Sequence, residues 1–158
     1  KYSLPENCRN TKSIVNYLST VVGEKILSFE NSPIGDEIVN KEFANQAEQQ
    51  KYLLEEIKSL THEQGIGTEQ IVIILNSSKE DSCLAEITKT GKIPIKSIDR
   101  SGRMQRDSIN YTTINTYKGL EADIVFIVDA NLIPEEKKLE MLYTEASRAR
   151  FKLYVLGC

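Results

Sequence analysis

The chain contains one histidine, His62, and three cysteines, Cys8, Cys83 and Cys158, none of them in a Cys-x-x-Cys pair. An odd, scattered set argues against a disulfide framework or a zinc site. A lone histidine removes most histidine-based catalysis and metal chemistry, so no metal site is expected. No apolar run approaches the roughly 18 residues of a membrane-spanning helix. The segment Lys1-Tyr-Ser-Leu-Pro-Glu6 lacks the order of a signal peptide. A phosphate-cradling loop, Gly-x-x-x-x-Gly-Lys-Ser/Thr, is also absent. The one Gly-Lys pair, Gly91-Lys92, is followed by Ile93 and preceded five positions earlier by Glu86, so it lacks both the first glycine and the hydroxyl. The glycine-rich turn of a dinucleotide-binding unit is missing too, which counts against a stand-alone nucleotide binder.

What remains is ordinary in bulk. The 158 residues are 40% hydrophobic and 27% charged, with a net charge of −3. That length fits one domain over residues 1–158 and buries about 70% of the surface of its unfolded chain. A slightly acidic chain is not a basic coat for nucleic acid, so any phosphate contact must come from a local patch. The reading is of a cytoplasmic protein without a membrane partner. It is also of a fragment of a longer one, since the chain starts in an ordered-looking segment and stops after a strand-like run.

The apolar pattern alternates strands with helices. Asn10 or Thr11 can cap a helix with Ile14, Leu18 and Val21 on its apolar face. Ile26–Phe29 and Glu37–Phe43 read as short strands. Residues 44–60 place Ala47, Leu53, Leu54, Ile57 and Leu60 on one helical face, and Gly65-Ile-Gly67 ends that helix. Ile71–Leu75 is apolar on both faces, as a central parallel strand is. Ser77 or Ser78 starts a helix ending near Gly91, followed by a strand at Ile93–Ile98 and a polar, mobile-looking stretch, Asp99–Ser108. Tyr111–Ile114 and Ile124–Val128 are strands. Pro134, with Glu135 and Glu136, suits the first turn of a helix, whose stripe is Leu139, Leu142, Tyr143 and Ala146. Leu153–Leu156 is the last strand. Strands alternating with helices predict an α/β domain with a mainly parallel sheet and right-handed crossovers.

Two segments join charged chemistry to buried elements. Thr113-Ile-Asn-Thr-Tyr-Lys-Gly-Leu-Glu121 leads into Ile124–Val128, and Leu142-Tyr-Thr-Glu-Ala-Ser-Arg-Ala-Arg150 leads into Leu153–Leu156. A core needs the apolar runs but not the charges. Each charged feature has a plain explanation alone. Arg148 and Arg150 near a helix C-terminus gain roughly 0.3–1 kcal/mol each from the helix dipole. Lys118-Gly119 makes a turn, and Asn7-Cys-Arg-Asn-Thr11 a helix cap. Ile124-Val-Phe-Ile-Val-Asp129 mimics a strand ending in a magnesium-binding Asp, but without a phosphate loop Asp129 reads as a strand-end residue.

Taken in order, Asn7-Cys-Arg-Asn-Thr11, Thr113–Glu121 and Leu142–Arg150 resemble motifs IV, V and VI of the UvrD/Rep-like superfamily 1 DNA helicases. The resemblance spans nearly the whole chain, and residues 37–98 look like the middle of the same domain. It implies a second RecA-like motor domain, with a three-layer αβα fold, whose first domain is absent. That first domain would carry the phosphate loop, the magnesium-binding acids and the catalytic Glu, and would be the partner on the same polypeptide. ATP with Mg2+ would lie in the cleft between the two, and this fragment alone would bind neither and be inactive.

The resemblance makes Arg9 and Arg148 the catalytic arginines that reach the γ-phosphate. A planar, permanently charged fork suits the charge spread over a transferring phosphoryl group. Gly119 and Glu121 match nucleotide-binding positions, with Glu121 at the ribose. Thr113, Asn115, Thr116 and Lys118 match the stretch facing single-stranded DNA. Cys8 stands where the family often has a Tyr that stacks on adenine, Asn115 where it has a His, and Ser147 where it has a Thr. The motif IV to V gap is about 100 residues, with no room for the accessory domain UvrD inserts; its place corresponds to the loop 99–106.

That loop carries charge of its own. Lys92, Lys96, Arg100, Arg103 and Arg106 against Asp99 give +4 over 15 residues. Such a run is either a solvated surface or a backbone contact to single-stranded nucleic acid. The remaining alternative for the whole chain is a non-enzymatic, degenerate RecA-like module that binds single strands or a protein.

Overall fold

The computed structural model describes residues 6–99, 101–113, 116 and 119–158. Nine strands and three α-helices occur among them: β1 (Glu6–Asn7), α1 (Lys12–Val22), β2 (Leu27–Ser28), β3 (Val39–Glu42), α2 (Gln46–Lys58), β4 (Ile71–Leu75), β5 (Lys89–Thr90), β6 (Ile93–Ser97), β7 (Ile109–Thr113), β8 (Ala122–Val128), α3 (Lys138–Ala146) and β9 (Ala149–Gly157). Seven strands form one sheet in the order β3-β9-β8-β4-β7-β6-β5. Every pair in it is parallel except β5 with β6, and β1 pairs with β2 separately. The architecture is the expected RecA-like α/β sandwich.

The β-branched runs explain the centre. All five residues of β4 are buried, because helices cover the sheet on both sides. Ile14 and Leu18 of α1 and Ala146 of α3 pack with Val72, Ile74, Val125 and Ile127 on one face. Leu53 and Ile57 of α2 pack with Ile71, Ile73, Phe126 and Tyr154 on the other. There Phe126 and Tyr154 stack with ring centroids 4.1 Å apart, and the Tyr154 hydroxyl donates to Glu56 at 3.0 Å.

Several expectations are corrected. No helix follows Ser77: residues 79–86 are a series of turns. The Ser78 hydroxyl accepts the Asp81 N–H, and the Ser82 hydroxyl donates to the Lys79 carbonyl and accepts the Leu84 N–H. Such local bonds compete with a helical ladder. On α2, Ala47 is exposed and Gln49 is buried in its place. The Gln49 amide donates to Asp129 at 2.8 Å and accepts the Asp129 N–H at 3.0 Å. Asp129 also takes the Cys83 N–H and sits at φ +54° just past β8, so it is a buried structural joint. On α3, Leu139 and Tyr143 are largely exposed, whereas Glu145 and Ala146 are fully buried. Pro134 opens a 3-10 turn, Glu135–Lys137, ahead of α3.

Candidate functional site

The turn carrying Arg9 is built by the residue two before it. The Asn7 side-chain oxygen accepts the N–H groups of Arg9 (3.0 Å) and Asn10 (3.1 Å). This local side-chain-to-backbone turn leaves Cys8 and Arg9 exposed at its tip. Asn10 itself does not cap α1, and Thr11, the cap by position, makes no side-chain cap bond. The first N–H groups of the helix, on Lys12 and Ser13, donate to the carbonyls of Pro33 and Ile34, each at 2.9 Å. Those donors are therefore occupied, and the positive end of α1 is closed to an anion.

Arg148 lies between the end of α3 and the start of β9. Its N–H donates to the Glu145 carbonyl, and its carbonyl accepts the Ala122 N–H, both at 3.1 Å. Ala122 and Ala149 pair in register, so Arg148 sits at the N-terminal ends of β8 and β9. Its Nε is buried and has no hydrogen-bond partner among the described residues. Arg9 and Arg148 line one open cavity of about 710 Å3, together with Asn7, Cys8, Tyr143 and Ser147.

Glu121 joins this end, its carboxylate 2.7 Å from the Arg9 Nε. Gly119 has φ +86°, where a side chain is strained, so the turn itself requires the glycine. Arg150 belongs elsewhere: it pairs with Asp123 at 3.5 Å and lies over the Phe151 ring. The two arginines of this segment thus part company, one bracing the surface and one facing the cavity.

Thr113 ends β7, and β7 and β8 both run parallel to β4. Thr113 and Glu121 therefore lie at opposite ends of the sheet. Thr113 and Thr116 line a recess of about 170 Å3 with Lys79, Ser97, Tyr111 and Thr112. The predicted site residues Arg100, Asn115 and Lys118 lie outside the described residues. Arg103 and Arg106 are exposed, and neither belongs to an ion pair among the described residues. Arg106 precedes the start of β7, so it is not gathered beside Thr113.

The polar stretch around these arginines is bonded rather than loose. Asp99 accepts the N–H groups of Ser101 (2.9 Å) and Arg103 (2.8 Å), and the Ser101 hydroxyl bond leads the causes that hold its carboxyl below the usual range. Asn110, fully buried, accepts the Gln105 N–H and donates to the Gln105 and Ser108 carbonyls.

Sequence reasoning missed Asn10, Asn110 and Glu145. The Glu145 carboxyl is fully buried. The Asn76 amide donates to it at 3.3 Å, while Glu145 Oε1 and Asn76 Oδ1 have no partner among the described residues. Desolvation pushes its pKa up to about 8, against the Asn76 bond. Nothing in the sequence marked it, because a Glu in a helix is ordinarily a solvated residue.

Residues 109–156 match the model of the UvrD-like helicase C-terminal domain family. A solved structure, the C-terminal domain of a possible DNA helicase from Lactobacillus plantarum WCFS1, has the same fold. It aligns with a TM-score of 0.73 at 21% identity, covering 96% of this chain and 87% of that one. No curated protein matches. The matched family segment contains Thr113, Glu121 and Arg148, whereas Arg9 and Asn10 lie before it.

Proposed function

We propose that the chain is the second motor domain of an ATP-dependent DNA helicase or translocase, completing a nucleotide site held by a first RecA-like domain of the same polypeptide. The observation that carries this reading is the shared cavity of Arg9 and Arg148, with the Arg148 Nε buried and unpartnered among the described residues. A buried guanidinium N–H without an acceptor is costly, and a phosphate oxygen is the acceptor it fits best. ATP with Mg2+ supplies the transferable phosphoryl group.

Arg9 and Arg148 would face the phosphates from across the domain cleft and neutralise charge as it spreads. Glu121, at the rim, would meet the ribose. Magnesium is proposed to be held by the first domain. Thr113 and Thr116, at the other end of the sheet, would contact the DNA strand, and Asn115 and Lys118 are proposed to share that role. Arg103 and Arg106, with Arg100, would add backbone contacts. Among the described residues no helix is long and apolar enough to cross a membrane, and the proposed setting is the cytoplasm.

The rival reading, a non-enzymatic module that binds single strands, draws on one observation: Arg9 already has a partner in Glu121. The two readings separate in a polypeptide joining this chain to its ATP-holding domain. The motor reading requires DNA-stimulated ATP turnover that Arg148→Ala lowers by about 10³ or more. DNA binding with unaltered turnover would select the module instead.

A further inference from the structure

We infer that Asn10 is a positioning residue that holds Arg9 and Arg148 in one register on their shared cavity; this rests on the reading that both arginines meet phosphate. Asn10 is 2% exposed, and its side chain is fully committed. Its amide donates to the Ser147 carbonyl at 3.1 Å and to the Ala149 carbonyl at 2.5 Å, the carbonyls of the two residues on either side of Arg148. Its oxygen accepts from the Asn7 amide at 2.8 Å. The Asn7 oxygen in turn accepts the N–H groups of Arg9 and Asn10. An unbroken chain of hydrogen bonds therefore runs from the N–H of Arg9 to the carbonyls of the two residues flanking Arg148.

The link is specific in two ways. First, the bonds from Asn10 span 137 and 139 residues of sequence, so no local turn preference accounts for them. Second, an Asn at a helix start ordinarily caps the helix, yet α1 is capped by the Pro33 and Ile34 carbonyls. The Asn10 oxygen is thereby left to accept the Asn7 amide, while its N–H groups reach the residues flanking Arg148. The backbone bond from the Thr11 N–H to the Arg150 carbonyl, at 3.2 Å, already stitches the two segments together. What Asn10 adds is the setting of the Arg148 peptide itself, whose carbonyl is fixed by Ala122. With the backbone held both before and after Arg148, only side-chain rotations remain to be ordered when an anion arrives. Such preorganisation raises affinity without new contacts.

The test is a titration of the polypeptide joining this chain to its ATP-holding domain with inorganic tripolyphosphate at low ionic strength, followed by NMR. Arg9→Ala and Arg148→Ala probe the underlying reading. Asn10→Ala and Asn10→Ser probe the inference; both are neutral, so neither alters the charge at the cavity. With both arginines in place, each Asn10 variant is expected to weaken binding by at least about threefold. Arg148→Ala should then cost less in the Asn10→Ser background than in the native one, because the arginine is already displaced. A purely structural Asn10 would leave those two costs equal.

Native affinity in a folded Asn10→Ser protein overturns the inference, and so do additive losses. If Asn10→Ala fails to fold, Asn10→Ser, which keeps a hydroxyl donor, decides alone. Unchanged binding on loss of either arginine overturns the phosphate reading itself, whatever Asn10 does.

Discussion

The arginine cavity and the basic loop are both cationic, but they are built by opposite means. At the cavity, Asn10 reaches carbonyls 137 and 139 residues away, and Arg148 is fixed by Ala122 on a neighbouring strand. At the loop, Asp99 holds residues two and four positions on, and Asn110 holds residues two and five back. The cavity orients one arginine whose buried Nε is unpaired among the described residues, whereas the loop presents Arg103 and Arg106 to solvent. A preorganised, desolvated charge favours one anion in one geometry. Exposed charges favour any polyanion and are screened by salt. Under the proposed function the two regions would serve a chemical step and a gliding contact, respectively.

The largest effect should come from breaking the cavity. In the two-domain polypeptide, Arg148→Ala is expected to lower ATP turnover by about 10³ or more, with single-strand affinity unchanged when measured by fluorescence anisotropy. An equal loss in Arg103→Ala/Arg106→Ala would erase the distinction between the regions.

Next comes the stability of the layer beneath Arg148. Glu145 has its folded pKa raised from 4.5 to about 8 by desolvation, so the folded state holds its proton more tightly than the unfolded chain. Its contribution is fully present below about pH 4.5 and is lost as pH rises through about 8. Urea unfolding should show stability falling across that window by roughly 1.4 kcal/mol per pH unit for this group. Asp129, also raised by burial, adds a slope of the same sign. Glu145→Gln keeps the neutral shape and should flatten the curve. The same slope in native and variant proteins would mean that Glu145 is ionised and solvated.

The sequence made the strands legible where apolar runs are unbroken, as at Ile71–Leu75, Ile124–Val128 and Leu153–Leu156. It also singled out Arg9 and Arg148, which the fold brings to one cavity. It failed where a polar side chain is buried by a distant partner. Gln49 looks like a surface residue until Asp129 is placed beside it, and Asn10 looks like a cap until Ser147 and Ala149 arrive. The helix expected after Ser77 failed for a local reason, since the Ser78 and Ser82 hydroxyls bond nearby backbone. Periodicity reports which face is apolar; it is silent about hydrogen bonds that close over more than a hundred residues.

A smaller effect tests the loop side of the comparison. If Arg103 and Arg106 each neutralise one phosphate, replacing both by Ala should reduce the salt slope of single-strand binding by about 1.4, at roughly 0.7 per phosphate. The slope comes from anisotropy titrations at several salt concentrations. An unchanged slope would make the loop a solvated surface and leave Thr113 and Thr116 as the described part of the strand contact.

The smallest effect sharpens the cavity side. Arg9 is held by Glu121 at 2.7 Å, but the two side chains are 50% and 33% exposed, so the pair is worth no more than about 1 kcal/mol. A phosphate arriving at Arg9 must replace that carboxylate or share the guanidinium with it. Glu121→Gln removes the competing charge and keeps a hydrogen-bonding side chain at the rim. Its affinity for tripolyphosphate should rise by about two- to fivefold, and the gain should vanish in the Arg9→Ala background. A gain that persists without Arg9 would come from the general loss of a negative charge at the cavity, and the pair would then have no gating role. A fall in affinity would mean that Glu121 orients Arg9 toward the anion. In that case the carboxylate and Asn10 would act in the same sense, as two fixed supports of one arginine pair.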